Sequence, residues 1–69
     1  MVSRAELSSL ETAIRELSDR ITAAADELLG TKEEAAALDL YEVERNLKTA
    51  QRRISKAASG LPVEQGKRL

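Results

Sequence analysis

Leu7-Ser8-Ser9-Leu10-Glu11-Thr12-Ala13-Ile14-Arg15-Glu16-Leu17-Ser18-Asp19-Arg20-Ile21 decides the fold. Its apolar residues recur three and four apart, and the rhythm runs on through Ala24 to Leu28. That spacing is the a/d seam of a coiled coil. A second seam with the same rhythm follows on Ala36, Leu40, Val43, Leu47, Ala50, Ile54, Ala57 and Leu61.

The helix ends are written in the chain. Ser3 followed by Glu6 is a capping box, in which the serine hydroxyl accepts from the Glu6 N–H and the Glu6 carboxylate reaches back to the Ser3 N–H. A helix over residues 4–29 is predicted. Glu11–Arg15 and Glu16–Arg20 are spaced to support it as i,i+4 pairs, at about 0.2–0.5 kcal/mol each. Gly30 suits a left-handed position just past the helix end. Thr31-Lys32-Glu33-Glu34 is a second capping box and begins a helix over 32–59. Gly60 and Pro62 then stop that helix. Residues 1–61 thus read as one helical unit with a turn at 30–31, and residues 62–69 as a loose tail.

Phase separates two helices from one rod. Carried past Leu28, the first seam would fall on Thr31, Ala35, Leu38, Glu42 and Arg45, whereas the second occupies Ala36, Leu40 and Val43. The offset from Leu28 to Leu40 is not a stutter or a stammer. An antiparallel hairpin is predicted, with residue i near about 61 minus i, so that Leu7 approaches Ile54 and Ile21 approaches Leu40.

Two helices alone leave one side of both seams in water. The chain has 69 residues, no cysteine, no histidine, one tyrosine and no phenylalanine or tryptophan. A core in a chain this short rarely supplies more than about 3–5 kcal/mol without a disulfide, a metal or association. Association is the route this composition leaves open. Ala13, Ala25, Ala37 and Ala58 widen the stripe at e and g, which suits bundles of three or four helices, although alanine also fills helical positions by propensity alone. The fold class is therefore all-α: a two-helix antiparallel coiled-coil hairpin that dimerises into a four-helix bundle. The self-association seam is Leu7, Leu10, Ile14, Leu17, Ile21, Leu28, Leu40, Val43, Leu47 and Ile54. Another helical protein filling the open side is the other arrangement.

Charge favours an antiparallel homodimer. Residues 1–44 carry four basic and eleven acidic side chains, and residues 45–69 carry seven basic and one acidic. The hairpin becomes a rod with an acidic tip and a basic base, and two such rods pair best tip over base.

Two further groups carry partner chemistry. Arg45, Lys48, Arg52 and Lys56 form an outward strip with Arg53 on its flank. Such a strip can meet phosphates or an acidic partner, or it can simply complement a helix C-terminus. No aromatic residue interleaves it, and the net charge of −1 counts against nucleic acid. Leu38 and Tyr41, with Leu29 nearby, are either a docking spot near the loop or cover for the helix end.

No cofactor or metal is expected, because the acidic tip lacks the alternating oxygens and the glycine of a calcium loop. Catalysis is not expected either: the common general bases and nucleophiles are missing, and no serine or threonine sits in an elbow or phosphate loop. No stretch approaches the ~20 apolar residues of a membrane span. The polar faces mix signs and the seam lacks aromatic anchors, which argues against a membrane-surface helix. Met1–Glu6 has no apolar signal core, so a cytoplasmic protein is expected. The function predicted is a non-catalytic protein–protein interaction module, an adaptor, assembly factor or regulator. The alternative is a nucleic-acid-binding hairpin dimer using the basic strip.

Overall fold

A computed structural model describes residues 2–62. It contains two helices, α1 (Arg4–Leu28) and α2 (Glu34–Ser59), packed side by side as a hairpin. The anticipated loose tail lies outside the described residues, apart from Pro62.

α1 begins where the serine was placed. Ser3 is extended, and its Oγ accepts from the Glu6 N–H at 3.1 Å. Only this half of the capping box forms. The helix ends at Leu28, one residue earlier than predicted, because Leu29 takes φ −65° and ψ 133° and Gly30 takes φ +81°. Those angles, with the Thr31 N–H donating to the Leu28 carbonyl at 3.1 Å, define a type II turn over residues 28–31. Glycine is favoured at the third position of such a turn, where φ is positive. The last turn of α1 also holds Asp26 and Glu27 with no basic residue, and carboxylates there oppose the helix dipole.

Thr31 organises the turn instead of capping α2. Its hydroxyl donates to the Leu28 carbonyl at 2.6 Å and accepts from the Glu33 N–H at 3.0 Å. Its carbonyl accepts from the Glu34 N–H at 3.2 Å. Lys32 and Glu33 are drawn into this tight turn, so α2 starts at Glu34 rather than at 32, and no side chain caps it. The predicted second capping box is replaced by a turn built around one threonine. At the far end Gly60 is right-handed, with φ −82° and ψ −9°, and its N–H closes the last turn onto the Lys56 and Ala57 carbonyls. Among the described residues the left-handed cap reserved for glycine occurs at Gly30 alone.

The register agrees with the sequence. Arg4 Nε donates to the Ala58 carbonyl at 3.0 Å, joining the open end of the hairpin. That places residue i of α1 opposite about 62 minus i, one residue from the expected pairing. The predicted Glu11–Arg15 and Glu16–Arg20 ion pairs do not form. Among the described residues the ion pairs are Glu42–Arg45 at 3.3 Å and Glu44–Lys48 at 3.4 Å, both within α2.

The core is thin. Only Ser18, Ala25 and Ala37 are buried among the described residues. Leu7, Ile14, Ile21, Leu28, Leu40, Leu47 and Ile54 are half-covered. These three side chains are small and bury little apolar surface, and area buried is what stabilises. The fully buried positions are therefore the least hydrophobic part of the seam.

Candidate functional site: the open face of the hairpin

The pattern of cover divides each seam in two. On α1 the covered positions are Leu7, Glu11, Ile14, Ser18, Ile21, Ala25 and Leu28, with Arg4 and Thr22 beside them. On α2 they are Ala37, Leu40, Glu44, Leu47, Gln51, Ile54 and Ala58, with Tyr41 and Ala50 beside them. Each helix thus meets the other through a and e positions rather than a and d. The alanines at 25, 37 and 58 were the signal for this in the sequence. The polar residues Glu11, Ser18, Glu44 and Gln51 gave no sign of it, since heptad reading assigns polar e positions to solvent.

The d positions are left outside, apart from Ala50, which is half-covered. Leu10 is 49% exposed, Leu17 44% and Val43 40%, and Ala24, Ala36 and Ala57 are exposed with them. With that one exception, both helices leave uncovered the residue three after an a position, and both cover the residue four after it. Antiparallel helices related by a local two-fold axis turn the same flank to the same side. The uncovered rows of α1 and α2 therefore form one apolar face along the rod. The opposite flank is polar and carries Thr22, Asp26, Tyr41 and Lys48.

The remaining predicted residues are dispersed. Tyr41 is partly covered and donates from its hydroxyl to an Asp26 carboxylate oxygen on α1. That hydrogen bond, with smaller contributions from burial and from the Asp26 charge, raises the Tyr41 pKa above its ordinary 10.0. Leu38 faces solvent at 61% exposure, and Leu29 is also exposed in the turn. The structure therefore separates the two residues: Tyr41 joins the helices, while Leu38 is free.

The basic strip is partly neutralised. Arg45 is paired with Glu42 and Lys48 with Glu44. Arg52 donates to the Thr49 hydroxyl at 3.4 Å. Arg52, Arg53 and Lys56 have no ion partner among the described residues. No described helix is long and apolar enough to cross a membrane.

The class defined by this geometry is an antiparallel helical hairpin with one polar flank and one uncovered apolar face. No protein-family model matches the chain, and no curated protein or solved structure matches it.

Proposed function

We propose that this chain is a non-catalytic protein–protein interaction module that completes a helical bundle through its open face, most simply as a homodimeric four-helix bundle. It would serve as a small adaptor, assembly factor or regulator. One observation carries the reading: leucine and valine occupy the uncovered row at heptad spacing, although each lies 40–49% exposed in the single hairpin. Exposed apolar rows at that spacing are what helical partners bury.

The dimensions suit this role. A helix of 26 residues spans about 39 Å at 1.5 Å per residue. Two helices 8–10 Å apart present a face roughly 20 Å wide. The resulting ~800 Å² per copy is the size of a standard stable interface.

Leu17→Asp tests the reading. On a face that stays in water, the substitution changes stability by no more than about 0.5 kcal/mol. On a buried face it places an unpaired charge against apolar side chains and abolishes association. The expected result is loss of the associated species by light scattering, with Leu38→Asp as the tolerated control. Unchanged association of the Leu17 variant would overturn the proposal. Salt-dependent binding of duplex DNA or RNA, lost on Arg52→Glu, would favour the basic strip instead.

A further inference from the structure

Within the helices, the residue just before each a position rims the open face. On α1 these rim residues are Glu6, Ala13, Arg20 and Glu27, and on α2 they are Asp39, Asn46 and Arg53. All seven are exposed. Each helix carries the same three-residue series along the rim: an acid, a neutral residue seven later, and a base seven after that; on α1 a further acid, Glu27, follows at the loop end. None of the five charged side chains has an ion partner among the described residues.

Such a series is self-complementary when read in opposite directions. We propose that the occupant of the open face is a second copy of this chain, lying with its loop at the opposite end, α1 against α1 and α2 against α2. This deepens the bundle reading above and rests on it. Centring α2 on its counterpart near Asn46 sets Asp39 against the partner subunit's Arg53, while Val43 meets the partner subunit's Ala50. Centring α1 near Ala13 sets Glu6 against the partner subunit's Arg20, while Leu10 meets the partner subunit's Leu17. The two centres fall within about three residues of one level of the rod, a mismatch of ~4.5 Å that must be taken up by a slide of about one helical turn or less.

Rim charges alone would also tolerate the arrangement with both loops at one end, pairing Glu6 with Arg53 and Arg20 with Asp39. The ends of the rod decide between the two. In that arrangement the carboxylates of Asp26, Glu27, Glu33 and Glu34 from both copies would crowd together, and Arg52, Arg53 and Lys56 from both would crowd at the other end. With loops opposed, each acidic tip lies over a basic base.

Paired substitutions separate these possibilities by light scattering at low salt, with helicity followed in parallel. Asp39→Lys combined with Glu6→Lys makes every rim pair like-charged and is expected to weaken dimerisation by roughly tenfold or more. The difference should shrink in 1 M salt, where charges are screened within about 3 Å. Asp39→Lys combined with Arg53→Glu reverses the series on α2 only. Pairing of α2 with α2 stays complementary, so this variant is expected to dimerise within about twofold of the wild type. If it falls to monomer, unlike helices pair and the proposed orientation is overturned. If the double-lysine variant dimerises like the wild type, the rim plays no part and the self-recognition series is overturned. In both cases a Leu17→Asp monomer would leave the bundle reading standing. Should the double-lysine variant lose helicity, mixing it with Arg20→Glu/Arg53→Glu is expected to restore mass and helicity together, and failure to do so counts against the proposal.

Discussion

The Tyr41 hydroxyl on α2 donates a hydrogen bond to the Asp26 carboxylate on α1, and among the described residues it is the one side chain–side chain hydrogen bond between the helices. It sits on the polar flank near the turn, opposite the open face. A phenol held this way loses its partner when it ionises.

The first prediction follows from that bond. The folded-state pKa of Tyr41 is raised above 10.0, first by the bond to Asp26. A raised folded pKa means that the stabilisation is fully present below the unfolded value and is lost as pH rises through the folded value. The hairpin should keep this contribution up to about pH 10 and lose it above. Tyrosinate absorbance reads a single residue here, since the chain has one tyrosine. Asp26→Ala should move its midpoint back down towards 10, and an unmoved midpoint would show that the bond does not hold in solution.

Ser18 gives the second prediction. It is 2% exposed, and its hydroxyl has no hydrogen-bond partner among the described residues. A buried hydroxyl without a partner is costly, and alanine is the better helix former. Ser18→Ala should therefore stabilise by about 1 kcal/mol, a rise of roughly 4–8 °C in thermal midpoint at fixed protein concentration. A lowered midpoint would mean that the hydroxyl finds a partner in solution.

The two described glycines should respond oppositely. Among the described residues no atom lies within 4 Å of where a Cβ on Gly30 would be, so Gly30→Ala costs only what its φ of +81° costs, about 1–2 kcal/mol. Gly60 is right-handed, and a Cβ there meets the Ala57 carbonyl at an ordinary 3.5 Å. Gly60→Ala should be neutral or stabilising by up to about 1 kcal/mol. Urea unfolding of the two variants checks both, and similar losses at the two sites would contradict the assigned turn.

Glu27 supplies the fourth. It lies in the last turn of α1, which has no basic residue. Glu27→Lys should relieve the clash with the helix dipole and add about 0.3–1 kcal/mol at low salt, fading as salt is added. A salt-independent change in thermal midpoint would point to another cause.

The hairpin itself was legible because phase, not propensity, carried it. The break between Leu28 and Leu40 excluded a single rod, and Ser3 and Gly30 marked real boundaries. What the sequence obscured was the division of labour inside the seam. Leu10, Leu17 and Val43 read as partners of the other helix, yet that place is taken by Ser18, Ala25 and Ala37. Hydrophobic periodicity locates the apolar stripe but cannot say which edge of it meets the neighbouring helix. Ser18, Ala25 and Ala37 take the buried places at e, and Leu10, Leu17 and Val43 at d are left to face outward. The turn was misjudged for a similar reason. Thr31 was read as a cap, but its hydroxyl has a stronger option in the Leu28 carbonyl, which the type II turn brings within reach.

A second copy closing the open face would show directly in the mass of the molecule. The direct measurement is the mass of the wild-type chain by light scattering across a wide concentration range, with helicity recorded on the same samples. A species near twice 7.5 kDa is expected, dissociating on dilution with helicity falling as it does. A fully helical monomer at every concentration would contradict it.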